Sequence, residues 1–215
     1  MVSIFAANLE STKHFTIRTH YIAYLMNHYH KSFQKRFLDL GFTLILLPFV
    51  ILVLALTMIL LFVTNGPPVF YTQKRVGKNG KVFKMYKLRT MKRKFKSGHG
   101  TRHSNKDITR IGFFLRITRL DELPQIINIV KGQMSWVGPR PEVPYYVEQF
   151  SLQNEDYKKR HEVLPGITGL AQVKYPNATP EDNLKKLSYD LEYIEKADLK
   201  SDLRLLFLSF FAVWK

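Results

Sequence analysis

Hydrophobic and polar residues follow three different periods along this chain, and each predicts an element. From Leu40 to Val63 there is no charged residue and almost no polar one. At about 1.5 Å per residue, a helix of that length covers the roughly 30 Å hydrocarbon core of a bilayer. Just before it, Phe33 and Phe37 share one helical face while Lys35, Arg36 and Asp39 spread around the other side, an amphipathic entry to the same element. After it, Val69–Gln73 and Lys81–Lys87 are rich in β-branched and aromatic residues and flank a turn that contains Asn79-Gly80. That pattern predicts a β-hairpin. Ile111 to Arg119 leads into Leu120-Asp121-Glu122-Leu123-Pro124-Gln125. A helix is expected there, with Asp121 as its cap, Glu122 to Pro124 in its first turn and Gly132 as its stop. Ile126, Ile127 and Val130 would form its buried face. In the closing part, Leu187, Leu191 and Ile194 recur at helical spacing. Leu203 to Trp214 is apolar and aromatic with only Arg204 charged. It is too short to span, so it predicts a helix lying on the membrane surface, with a core helix as the alternative.

The apolar run has two readings. One is a plain transmembrane helix. The other is a helix broken at Pro48 that dips into one leaflet and returns, because proline removes a backbone hydrogen bond and kinks a helix. Both flanks are basic: Lys31, Lys35 and Arg36 lie before the run, and Lys74, Arg75, Lys78 and Lys81 after it. Positive residues favour the cytoplasmic side, and a re-entrant element satisfies both ends, so it is the preferred reading. The chain divides into an N-terminal extension (1–30) with no assigned role, a membrane-inserted helix (31–66) and a cytoplasmic unit (67–215). The fold class is mixed α/β and helix-rich.

Charge sharpens the picture. With 33 Lys and Arg against 17 Asp and Glu, the net charge is +16. No acidic residue occurs between Asp39 and Asp107. An anionic partner is implied: nucleic acid, anionic lipid or a phosphorylated substrate. Nucleic-acid signatures are missing, with no RNP-like aromatic motif, zinc knuckle or evident helix-turn-helix. Lys92 to His103 reads as a loop, and Lys92 to Lys96 as a solvated charge run drawn to anionic headgroups. Lys87 and Arg89 sit in the more structured part and are better candidates for touching a ligand. The chain has no cysteine, which excludes disulfides, thiolate catalysis and Cys-ligated metal. No signal peptide is expected, since the first thirty or so residues lack an apolar core.

The candidate chemistry centres on Asp121 and Glu122. The plainer alternative is an N-cap aspartate followed by a glutamate that the helix dipole favours. Against it stands the basic context. Arg116 lies five residues earlier, Val137-Gly138-Pro139-Arg140-Pro141 is a rigid turn presenting an arginine, and Leu164-Pro165-Gly166-Ile167-Thr168-Gly169 is another turn. Carboxylates among cations suit phosphoryl chemistry, because Mg²⁺ binds carboxylate and phosphate oxygens and arginine offers a planar fork.

These blocks resemble the bacterial sugar transferases, small monotopic phosphoglycosyl transferases. The matching segments are Lys35–Asp39, Val69–Arg75, Phe83–Met91, Leu115-Arg116 with Leu120–Ile126, Met134–Pro141, Pro165–Val173 and Asp190–Tyr193, in order from about Lys31 to the C-terminus. The resemblance implies a re-entrant helix broken near a proline. It also implies transfer of a sugar-1-phosphate from a UDP-sugar to a polyprenyl phosphate, with release of UMP, at the bacterial inner membrane. Asp121 would be the nucleophile that forms a phospho-enzyme, and Glu122 would hold Mg²⁺ or assist a proton transfer. Lys87, Arg89, Arg116 and Arg140 would contact phosphate. Lys35, Arg36 and Asp39 would sit at the headgroups and orient the lipid phosphate, with simple snorkelling as their alternative. Three positions depart from the family pattern: Leu47 where serine often precedes the proline, Leu164 where an arginine often stands, and Gln133 where an acidic residue is frequent. Two other functions fit the composition: a non-enzymatic membrane adaptor, and a metal-dependent phosphatase or nuclease that transfers to water.

Overall fold

The computed structural model describes residues 29–92, 107–176 and 182–212. The N-terminal extension up to residue 28, the charge run beyond Lys92 as far as residue 106, and Trp214 lie outside the described residues. Helix α1 spans Phe33–Asn65, and Ser32 caps it by accepting the Lys35 amide. Strands β1 (Phe70–Val76) and β2 (Val82–Leu88) follow, then α2 (Arg110–Ile117), a six-residue 3₁₀ turn (Leu120–Gln125) and α3 (Ile126–Val130). β3 (Ser135–Val137), α4 (Pro144–Gln153), a second 3₁₀ segment (Glu155–His161) and β4 (Gly166–Thr168) come next. The chain then forms α5 (Leu170–Lys174), α6 (Asn183–Lys196) and α7 (Leu199–Ala212). The fold is helix-rich with two small sheets.

The hairpin forms where the sequence predicts it. β1 and β2 pair antiparallel from Phe70↔Leu88 to Val76↔Val82. The Gly77 amide bonds the Lys81 carbonyl at 2.9 Å, so the connection is longer than a two-residue Asn-Gly turn. Asn79 and Gly80 supply its positive φ angles, 56° and 72°. β3 and β4 form a short parallel pair, Ser135↔Gly166 and Val137↔Thr168. This pairing brings the Gly138-Pro139-Arg140 turn beside the Pro165-Gly166 turn. The Gly138 amide donates to Thr168 O at 2.8 Å, and the Gly166 amide to Pro139 O at 2.9 Å.

α1 is turned inside out relative to a helix of a soluble protein. Its buried positions are Lys35, Asp39, Thr43, Val50, Thr57 and Leu61, a single stripe at four- and seven-residue spacing. Its opposite face exposes Leu44, Ile45, Phe49, Leu52, Leu56 and Val63, with Ile45 and Val63 each 76% exposed. The helix continues through Pro48, so the expected break into two helices is absent. The proline forfeits one bond to the Leu44 carbonyl, and the bonds on either side carry the helix past it. Both ends of α1 pack on the same body. At one end Lys35 donates to Val137 O (2.9 Å) and to Asp202 (2.5 Å). At the other, Leu61 packs with Leu88 and Leu115, and Asn65 donates to Thr109 Oγ1 at 3.1 Å.

The reading of Asp121 as a helix cap is corrected. Asp121 lies inside the 3₁₀ turn, which starts from Arg119 in the left-handed region (φ 59°, ψ 12°), and α3 begins only at Ile126. A 3₁₀ turn advances about 120° per residue against about 100° in an α-helix, so six residues accumulate about 120° of phase. The buried face of α3 is therefore Ile126, Asn128 and Ile129, while Ile127 and Val130 are exposed. Gly132, at φ 70°, stops the helix as expected.

Candidate active site

The end of β2, the start of α2 and the 3₁₀ turn meet around a cavity of about 500 Å³. Strand alternation buries Phe83 and Met85 against Ile129 and Met134 and points Lys87 along the same hairpin face, beside Tyr71. α2 can approach this edge because position 112 is glycine: a Cβ there would lie 2.0 Å from Thr90 O. That close approach lets Arg116 Nε donate to Thr90 Oγ1 at 2.9 Å, which fixes the guanidinium at the cavity wall. Arg140 enters from the opposite side on its rigid turn, and Arg160 holds the Arg140 carbonyl at 3.0 Å.

Lys87, Arg89, Arg116, Asp121, Glu122 and Arg140, drawn from separate stretches of the sequence, all line this one cavity. Seven basic side chains surround its two carboxylates: those named, with Arg75, Lys92 and Arg119. The two carboxylates differ in state. Glu122 Oε1 accepts from Lys87 Nζ at 2.8 Å and from Arg140 Nη2 at 2.6 Å. Burial pushes its pKa up, but Arg140 and then Lys87 outweigh burial and hold the carboxyl well below the usual range. Asp121 is just as buried, yet its carboxylate makes no hydrogen bond or ion pair among the described residues. Burial raises its pKa, and Lys87 opposes the rise. Burial also lowers Lys87, with Glu122 restraining the fall. The arrangement therefore holds one committed anion, one uncommitted carboxylate and a surplus of cations.

Arg89 is shared between the fold and the cavity. Its Nη2 donates to Asn65 O and Gly66 O at 2.7 and 2.6 Å, closing the end of α1. Its buried Nε and Nη1 find no acceptor among the described residues. Residue-by-residue reading missed Arg75 and Arg119, and it took Lys92, which lines the cavity, for part of a solvated charge run. Arg75 had a signal, because it stands two and four places from Gln73 and Tyr71 on the hairpin face that carries Lys87. It donates to Pro141 O at 2.8 Å and so braces the arginine turn. Arg119 carried no signal beyond adjacency to Leu120.

The residues assigned to headgroups lie elsewhere. Lys35 and Asp39 face inward rather than outward. Asp39 Oδ1 accepts from Ser135 Oγ (2.8 Å) and the Trp136 amide (3.0 Å), and Lys35 is paired with Asp202, which is completely buried. Neither snorkels, because each has an internal partner that burial strengthens. Arg36 donates to Ile129 O and Val130 O at 2.7 and 2.9 Å, satisfying the last carbonyls of α3. Pro48 is on the exposed side of α1. Leu164 does not line the cavity.

A second cavity, an apolar groove of about 330 Å³, abuts the first and shares Arg119, Glu122 and Arg140 with it. Phe42 and Val50 of α1, Trp136, and Leu206 and Phe210 of α7 form much of its wall.

Among curated proteins, the chain is 36% identical over 180 residues to an Aeromonas hydrophila UDP-N-acetylgalactosamine-undecaprenyl-phosphate N-acetylgalactosaminephosphotransferase, covering 82% of this chain and 42% of that protein. It is 42% identical over 149 residues to the Escherichia coli (strain K12) UDP-glucose:undecaprenyl-phosphate glucose-1-phosphate transferase, covering 67% of this chain and 32% of that protein. A Bacillus subtilis (strain 168) protein described as an uncharacterized sugar transferase is 37% identical over 175 residues, covering 81% of this chain and 84% of its own length. The chain thus spans less than half of the first two relatives. The family model described as bacterial sugar transferase matches residues 30–215, a span that holds every residue of both cavities. On that match, the chain belongs to the bacterial sugar transferase family.

Proposed function

We propose that this chain transfers a sugar-1-phosphate from a UDP-sugar to a polyprenyl phosphate and releases UMP. The observation that carries the reading is Asp121: a buried carboxylate with no partner among the described residues, facing a cavity with seven basic side chains. Such a cavity suits a diphosphate. The Aeromonas and Escherichia relatives, both named as undecaprenyl-phosphate transferases, support the same class of reaction.

In the first step an Asp121 carboxylate oxygen attacks the phosphorus bonded to the sugar. The bond from that phosphorus to the bridging oxygen breaks, and UMP leaves with the electron pair. In the second step an oxygen of the polyprenyl phosphate attacks the same phosphorus, and the Asp121 oxygen departs with its pair. Asp121 is regenerated and a polyprenyl diphosphate sugar is released. Dividing the transfer in two avoids bringing two bulky anions together directly. Arg116, Arg140 and Lys87 offset the charge that a carboxylate meets at a diphosphate. The uncoordinated donors of Arg89 suit the same anion. Glu122 does not need to move a proton in either step; its ion pairs position Lys87 and Arg140.

Mg²⁺ fits this site through Asp121, whose oxygens are uncommitted, together with substrate phosphates and water. It would neutralise charge on the diphosphate. Glu122 fits less well, because both of its oxygens face cations at 2.6–3.5 Å.

The same proposal places the catalytic unit at the cytoplasmic face of the bacterial inner membrane, with both ends of the unbroken helix α1 kept on that side. Support comes from the packing of both ends of α1 on one body and from its exposed apolar face. α2 and α7 add exposed Phe113, Phe114, Phe207 and Phe211, which suits an apolar surface resting in a leaflet. The surplus of basic residues suits anionic headgroups beside it.

The test is UMP release from a panel of UDP-sugars with polyprenyl phosphate and Mg²⁺, beside Asp121→Asn. Release by the parent and its loss in the variant and in EDTA are expected, with the variant's circular dichroism unchanged. Full turnover by Asp121→Asn refutes the role given to Asp121.

A further inference from the structure

We propose that the apolar groove between α1 and α7 holds the first isoprene units of the acceptor, and that Arg119 receives the acceptor phosphate at the junction with the polar cavity. This rests on the functional reading above and adds where the lipid sits. Three observations carry it. The groove and the catalytic cavity share a wall made of Arg119, Glu122 and Arg140, so an amphiphile lying across that wall has its charged end among cations and its tail among apolar side chains. The groove's lining is otherwise largely apolar: Val50 from α1, Leu123 and Ile126 from the turn and α3, Leu206 and Phe210 from α7. Its α7 side opens toward an exposed apolar face, with Phe210 69% and Phe207 65% exposed, which provides continuity between the groove and a surrounding leaflet.

Arg119 is suited to the junction. It borders both cavities, and unlike Arg140 and Lys87 its guanidinium has no ion pair to a described carboxylate. It holds a left-handed backbone conformation that a non-glycine residue adopts at a cost, and such conformations concentrate at functional sites. The chemistry selects an acceptor with an apolar chain joined directly to a phosphate. A free phosphate leaves the groove empty, and a prenyl alcohol leaves Arg119 unpaired.

Trp136 borders the groove, and the chain contains two tryptophans, so Trp214→Phe makes Trp136 the sole reporter. The full chain carrying Trp214→Phe, in a non-ionic detergent, is titrated with farnesyl phosphate, farnesol and inorganic phosphate while Trp136 emission is read. Farnesyl phosphate is expected to give a saturable change, farnesol one about tenfold weaker, and inorganic phosphate none. Adding Arg119→Gln should bring farnesyl phosphate to the affinity of farnesol. Adding Phe210→Asp, at an exposed position, should weaken both prenyl ligands about tenfold. No saturable change with farnesyl phosphate, equal affinities for it and farnesol in the parent, or indifference to both substitutions overturns the proposal. UMP release measured on the same samples separates the two readings. Prenyl binding at Trp136 without turnover on any donor sinks the transferase reading alone, and turnover without a Trp136 response sinks the groove alone.

Discussion

Asp121 and Glu122 are adjacent in the chain and opposite in bonding state because their side chains meet different neighbours. Glu122 is saturated by Lys87 and Arg140; Asp121 feels those cations without bonding them. This difference sets a pH dependence. A nucleophilic carboxylate must be ionised, and burial raises the Asp121 pKa above the ordinary aspartate value of about 3.9. UMP release should therefore fall as the pH drops through that raised value. Lys87 lowers the Asp121 pKa, so Lys87→Met should move the acid limb to higher pH as well as slowing the reaction. The first half-reaction is the one to follow, since it does not involve the lipid phosphate, which titrates itself. An acid limb that does not move in Lys87→Met would assign the titration to another group. At this scale the sequence was legible where residues recur in ordered blocks: Lys87, Arg89, Arg116, Asp121, Glu122 and Arg140 do converge. It was illegible where a charge has a remote partner. Nothing near Lys35 announces Asp202, which is 167 residues away.

Elements owe their placement to a few buried polar anchors. The N-terminal end of α1 is fastened to α7 by one ion pair, Lys35–Asp202, which Tyr29 and Tyr193 complete by donating to the same carboxylate at 2.7 and 2.8 Å, and to β3 by the bond from Lys35 to Val137 O. Lys35→Met removes the cation and leaves a carboxylate in the interior, a change that costs about 3–5 kcal/mol when a buried pair is broken. Thermal unfolding in detergent should show a clear drop in midpoint, and Lys35→Met with Asp202→Asn should recover much of it. A single substitution with no effect on the midpoint would mean that α1 is not anchored there. Hairpin and terminal helices were legible as elements, because strand alternation and helical spacing are local. The direction in which α3 faces was not, because it depends on the phase gained in the preceding 3₁₀ turn. An Asp-Glu-Leu-Pro sequence reads equally well as the first turn of an α-helix.

For the whole molecule, the unusual feature is a long helix whose polar stripe faces the body and whose apolar side faces out. In water that surface would drive association; in a leaflet it is matched by lipid. A helix of 33 residues is about 50 Å long, enough to span, so length alone does not decide its path. Packing is more discriminating. A spanning helix would carry one end away from the catalytic unit, whereas Lys35 and Asn65, near opposite ends of α1, both bond to that unit. The absence of native cysteine makes the question directly measurable. Lys31→Cys and Thr64→Cys, both at exposed positions flanking the apolar stretch, should react with a membrane-impermeant maleimide from the same side, in inverted vesicles and not in intact cells. Reaction of the two from opposite sides would establish a span. It would also require the contacts between one end of α1 and the catalytic unit to be broken in the membrane, taking Leu61 off Leu88 and Arg89 off the end of the helix. Because Arg89 borders the cavity, a span would then be expected to lower UMP release as well, so topology and activity should stand or fall together in the same preparation.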